Sequence, residues 1–143
     1  MNFRILRYGQ ITDAGIIVLR LWLGIAMVKY SFPVVFNNGF AEFGDWLGSM
    51  NFPLPHLLAY LAKGGEFIGG ILLVLGLFTR VSSVFIMVNM AVAALIVGEA
   101  KILEGAELAF SYLLIATMVF LLGPDRLSLD AILGSGKSKG ELN

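Results

Sequence analysis

Lys63 and Glu66 stand three positions apart inside an otherwise apolar run over about residues 55–77. A run of that length is what a membrane-spanning helix needs, roughly 20 residues at about 1.5 Å each. The Glu66 carboxylate then falls near the bilayer midplane, where a charge costs roughly 2.5–3.5 kcal/mol on insertion scales. A spacing of three puts Lys63 and Glu66 on one helix face, within reach of each other. Two readings are open. One is a buried ion pair, with Lys29 as a third member, that fixes helix register. The other is the charged wall of a pocket for an ionisable or carbonyl-bearing molecule dissolved in the lipid phase.

Other polar residues fall at similar depth when the midpoints of the apolar segments are aligned. Asn89 lies level with Glu66, Lys63 about 5 Å and Lys29 about 7–8 Å toward the outer face. Glu107 lies close to the outer interface. These residues come from four segments and are expected to share one polar cluster, with Tyr30 beside Lys29 as a further candidate contact. Arg20 lies on the other half of the first segment, nine positions from Lys29 and so on the opposite face. It either joins the polar core or extends its stem toward the headgroups.

The elements that position these residues are four apolar segments, over about residues 12–36, 55–77, 81–97 and 106–122. They predict an all-α integral membrane four-helix bundle forming a single membrane domain over 1–143, with a polar tail at 134–143. Thr12 and Asp13 suit a helix start, the prolines of Phe52-Pro53-Leu54-Pro55 a second, and Gly123-Pro124 a stop. Asp13 and Gly15 interrupt the amino-terminal region, which argues against a cleavable signal peptide. An even count puts both termini on one side. Arg4, Arg7, Arg80, Arg126, Lys137 and Lys139 share that side, against Lys101 on the other, so both termini are expected to be cytoplasmic.

Composition agrees: 58% of residues are hydrophobic and 14% charged, against roughly 45–50% and about 25% in soluble domains. A net charge of zero gives no electrostatic footprint for nucleic acid. The absence of cysteine removes thiol relays, disulfides and iron–sulfur ligation, and a single histidine, His56, excludes a two-histidine haem site within this chain. No metal site is expected.

Between the first two segments, Phe40, Phe43, Trp46, Leu47 and Met50 recur at three- and four-residue spacing, which predicts a short amphipathic helix. It is either a lid packed on the bundle end or a gate over a lateral or external entrance. Gly65 and Gly69 form a spacing that lets another helix approach closely.

Arg20-Leu21-Trp22-Leu23-Gly24 in the first segment resembles the opening of DoxX-family membrane proteins. So do Phe52-Pro53-Leu54-Pro55, Glu66-Phe67-Ile68-Gly69-Gly70, Leu75-Gly76-Leu77-Phe78-Thr79-Arg80 and the ending Gly123-Pro124-Asp125-Arg126-Leu127-Ser128-Leu129-Asp130. The resemblance implies a four-helix protein of the bacterial inner membrane, associated with membrane oxidoreductase systems including quinone-linked ones, with Arg20 and Glu66 in the polar core. Where family members often carry a histidine–glycine pair late in the first helix, this chain has Lys29-Tyr30-Ser31, so a role resting on that histidine has no counterpart here. Three functions are compatible. The first is a subunit or accessory of a quinone-linked redox enzyme, in which Lys29, Tyr30 or Glu66 contacts a quinone carbonyl and a partner or bound cofactor carries the electrons. The second is a noncatalytic assembly or lipid-binding module, and the third a small transporter.

Overall fold

The computed structural model describes residues 3–138, and no strand occurs among them. Six helical elements occur in order: α1 (Phe3–Phe36), α2 (Gly39–Ser49), α3 (Pro55–Leu75), α4 (Thr79–Val97), α5 (Glu107–Leu122) and α6 (Leu129–Ser138). Gly9–Phe36 of α1, all of α3 and all of α4 are long and apolar enough to cross a membrane, while α5 is a shorter apolar helix. At 16 residues α5 measures about 24 Å, somewhat less than the roughly 30 Å hydrocarbon core.

Several boundaries differ from the sequence expectation. α1 does not begin at Thr12 or Asp13 but runs without a break from Phe3. The Asp13 carboxylate serves a tertiary contact instead, 3.2 Å from Arg126 Nε in the segment after α5. The polar tail expected from residue 134 is helical as far as Ser138, because Ser128 Oγ accepts the Ala131 N–H at 3.2 Å and so caps the start of α6. Lys139, counted in the orientation argument, lies outside the described residues.

The four apolar helices α1, α3, α4 and α5 pack in cyclic order, α1 on α3, α3 on α4, α4 on α5 and α5 back on α1. Their shared core includes Leu23 and Met27 of α1, Leu73 of α3, Ile86 of α4, and Ala116 and Val119 of α5. The closest approach of α1 to α3 is at Gly24 and Gly70. A Cβ on Gly70 would lie 2.8 Å from the Gly24 carbonyl oxygen, and one on Gly24 would lie 2.7 Å from that of Gly70. The glycine pair singled out by spacing faces elsewhere: Gly65 abuts the Phe85 ring and Gly69 the Ile86 side chain, both on α4.

α3 and α4 each contain a stretch of π-helix, Tyr60–Gly64 and Val92–Val97. Both lie toward the end of the bundle that carries α2. Gly65–Leu75 packs along Thr79–Ala91, but the two π stretches do not pack on each other in that way. Joined by the tight turn at Gly76 and Phe78, α3 and α4 therefore form a V that opens toward α2.

α2 closes the top of the V and is fastened to the start of α3. Phe40 stacks on Tyr60 with ring centroids 4.4 Å apart, Gly44 lies directly against the His56 ring, and His56 Nε2 stands 3.4 Å from Asp45 Oδ1. The expected amphipathic helix is thus present, and it packs as a roof.

Candidate functional site

Under that roof lies a cavity of about 400 Å³, and three polar side chains occupy its wall. Lys63 projects from the π stretch of α3, Glu66 from the α-helical turn after it, and Asn89 from α4. Lys63 Nζ donates to Glu66 Oε2 at 2.8 Å. Asn89 Nδ2 donates to Glu66 Oε1, so both carboxylate oxygens are engaged. Glu66 is 3% exposed, and a buried carboxylate is tolerated when it is paired and hydrogen-bonded in this way. Lys63 Nζ also lies 5.2 Å from the centre of the Phe43 ring, which ties the polar group to α2.

The rest of the lining is apolar and comes from α2, α3, α4 and Phe52. A π turn widens the helix and re-aims side chains, and such turns recur at functional sites. Here both π stretches contribute lining residues, Lys63 from one and Val92, Ala93, Ile96 and Val97 from the other. The wall offers donors beyond those already used, since a lysine carries three N–H groups and an asparagine amide two. A small molecule with a carbonyl or hydroxyl group could be held there without breaking the Glu66 contacts.

A second polar group occupies the opposite end of the bundle. Arg20 is 3% exposed. Its Nε donates to Asp125 Oδ2 at 2.8 Å, and its Nη1 donates to the carbonyls of Leu73 and Val74 at 2.6 and 3.0 Å. These carbonyls belong to the last turn of α3, where a cation is favourable. Asp130 accepts the backbone N–H groups of Phe78 and Thr79, both at 2.8 Å, and so caps α4 from a distant segment. Burial pushes the Asp130 carboxyl up, but these two N–H groups, with the Arg20 charge, outweigh it and hold the group below its ordinary value. Gly76 (φ 70°) turns the chain at this point. A Cβ there would lie 2.6 Å from Ser128 Cβ and 2.7 Å from Arg20 Nη1.

The sequence pattern of the DoxX family matches residues 15–99. The chain belongs to the DoxX family. It is also similar to a Bacillus subtilis (strain 168) protein named "Putative oxidoreductase CatD", with 30% identity over 138 residues, covering 92% of this chain and 96% of that protein. No solved structure matches it significantly. Family membership and the three long apolar helices together make this DoxX protein a multi-pass membrane protein.

The stretches that carry the family resemblance converge on two places. Arg20, Gly76, Thr79, Asp125, Ser128 and Asp130 interlock at the α6 end, and Glu66 lines the cleft at the α2 end. The expected single cluster is therefore divided. Lys63, Glu66 and Asn89 come together; Lys29, Tyr30 and Glu107 do not join them. Lys29 is exposed on the outer surface of α1, its ammonium 5.5 Å from the Tyr30 ring centre, and Tyr30 meets Tyr112 edge-on at 6.1 Å. Glu107 is exposed in the first turn of α5. Arg20 does not extend toward headgroups but turns into the bundle. Sequence reasoning missed Asp125 as its partner, although a buried arginine on the inner half of α1 required an acid at the same level.

Proposed function

We propose that this DoxX protein is a subunit or accessory of a quinone-linked oxidoreductase system of the bacterial inner membrane, with both termini in the cytoplasm. In this reading the α3–α4 cleft holds a carbonyl-bearing molecule drawn from the lipid phase. The observation that carries it is a buried carboxylate, Glu66, held by Lys63 and Asn89 on the wall of an apolar cavity of about 400 Å³. Ligand sites are commonly clefts of about 300–1,000 Å³ with a few convergent polar groups. An ionisable residue inside a membrane span usually marks a functional site. The name of the Bacillus subtilis relative supports the redox association, and the distribution of basic residues supports the orientation.

The roles derive from the geometry. Lys63 and Asn89 supply donors to a ligand carbonyl, Glu66 holds both donors in place and can accept from a ligand hydroxyl, and the aromatic side chains of α2 exclude water. A quinone, when bound, supplies the electron chemistry; the chain's own residues bind and orient it. A second reading, a noncatalytic lipid-binding or assembly module, is favoured by one observation: both Glu66 oxygens are already engaged, by Lys63 and Asn89, without a ligand.

Mass spectrometry of small molecules retained after gentle purification from native membranes separates the two. A quinone at near one per protein, falling by about tenfold or more in Glu66→Gln, is expected from loss of one charge-assisted contact. Phospholipid alone, retained equally by both proteins, supports the noncatalytic module.

A further inference from the structure

The residues lining the cleft come from α2, α3, α4 and Phe52, and include none from α1 or α5. The cavity therefore lies on the outer side of the V, away from the core shared by α1, α3, α4 and α5. Leu61, Val88 and Ile96 line it and are themselves 53%, 60% and 60% exposed. These exposed positions belong to membrane-crossing helices, so the open side of the V faces hydrocarbon. The side facing the aqueous phase is covered by α2. Its Phe43 and Trp46 rings stack 5.4 Å apart beneath the roof, and the contacts of Phe40 with Tyr60 and of Asp45 with His56 hold the roof to α3. Lys63 and Glu66 are the charged lining residues, and their charges cancel.

We infer that the cleft is loaded sideways from the bilayer through the gap between α3 and α4, and that its ligand is a tailed amphiphile with an uncharged polar head. This rests on the reading of the cleft as a ligand pocket. The head reaches Lys63, Glu66 and Asn89, and the tail leaves past Val88 and Ile96 into the lipid. A charged head would leave a net charge in an apolar cleft, which is strongly unfavourable. α2 acts as a fixed roof, and ligand does not enter from its side.

The chain offers its own reporter for a test. It contains two tryptophans and no cysteine, and Trp46 lines the cleft. In Trp22→Phe, reconstituted as the full chain in lipid nanodiscs, decyl-benzoquinone should quench Trp46 in a saturable manner. Adding Val88→Cys and coupling it to a bulky thiol reagent should raise the half-saturating mole fraction at least tenfold over the same variant before coupling. Locking the roof by bridging Asp45→Cys and His56→Cys with a short bis-maleimide should change it less than twofold. Dodecyl phosphate at equal mole fraction should not compete. Block by the lock but not by the plug overturns sideways loading and leaves the pocket reading intact. Saturable quenching unaffected by either also overturns sideways loading, and competition by dodecyl phosphate overturns the uncharged head. Absence of saturable quenching in the parent overturns the pocket reading itself.

Discussion

Replacing Asp125 with asparagine tests whether the Arg20 cluster is the clamp of this fold. The substitution keeps the shape and removes the charge, leaving the Arg20 guanidinium buried at 3% exposure with the carbonyls of Leu73 and Val74 as its remaining acceptors. Removing one partner of a buried pair costs about 3–5 kcal/mol where nothing else compensates. Here two carbonyls stay in place, and the asparagine oxygen can accept from Arg20 Nε only by giving up the Leu127 N–H that Asp125 Oδ1 accepts at 2.9 Å. A loss of about 2–3 kcal/mol is therefore expected, near the value of a hydrogen bond to a charged group. Equilibrium unfolding in mixed micelles titrated with sodium dodecyl sulfate, monitored by far-ultraviolet circular dichroism, gives the quantity. The second arm is Arg20→Met/Asp125→Asn, in which neither charge remains. Because the penalty of the single variant is mainly an orphaned charge, the double variant should be less destabilised than Arg20→Met and Asp125→Asn taken additively, by at least about 1 kcal/mol. A single-variant loss below about 0.5 kcal/mol, or strict additivity of the two sites, would refute the clamp.

Three further outcomes are expected. Asp130→Asn should cost about 1 kcal/mol at neutral pH by weakening the distant cap on α4. Its folded value is held below the ordinary 3.8, so the contribution is complete above that value and is lost as pH falls through the lower folded value; wild-type and variant unfolding curves should converge under acid, and a gap that widens would be the wrong sign. Gly70→Ala should destabilise by about 1–3 kcal/mol, because its Cβ would lie 2.8 Å from the Gly24 carbonyl and 3.0 Å from Met27 Cβ, whereas Gly64→Ala, with nothing within 4 Å, should not; the same titration compares them. Lys29→Gln should leave both stability, within about 0.5 kcal/mol, and the ligand retained by the cleft unchanged, since Lys29 lies outside the cavity lining; loss of ligand in that variant would place the site elsewhere.

The membrane class and the apolar segments were legible because a bilayer core imposes long uninterrupted apolar runs. Depth was legible too: Lys63, Glu66 and Asn89 are level enough to touch. Direction around the helix axis was less so. Lys29 had a suitable depth but shares an exposed stripe with Trp22, Ile25, Phe32 and Phe36, whose spacing of three and four residues was the available signal. The π stretches at Tyr60–Gly64 and Val92–Val97 add a residue to the turn and rotate the helix beyond them, which a constant helical period does not anticipate. Asp125 and Asp130 come after the Gly123-Pro124 stop and read as ordinary loop residues, because their partners, Arg20 and Thr79 at the start of α4, lie 105 and 51 positions away.

Among the described residues, buried charged side chains gather in two places, and their surroundings differ. Arg20 and Asp125 are 3% and 1% exposed and bonded to each other. Around Glu66 a cavity of about 400 Å³ remains. Left empty, a void of that size would cost about 10 kcal/mol at roughly 24 cal/mol per Å³, comparable with the whole stability of an ordinary domain, about 5–15 kcal/mol. With the sideways loading proposed above, the cleft is open to hydrocarbon and lipid chains fill it whenever a ligand does not. A ligand tail then merely replaces one apolar chain by another, and gains little, because lipid tails are as apolar as the side chains they touch. Discrimination must come from the head, at Lys63, Glu66 and Asn89. Asn89→Leu should therefore leave the cleft filled but change what fills it: the quinone-type component of the bound fraction should fall by about tenfold, as expected for one polar contact, while phospholipid takes its place. Equal loss of both components on mass spectrometry would mean instead that the substitution collapsed the V.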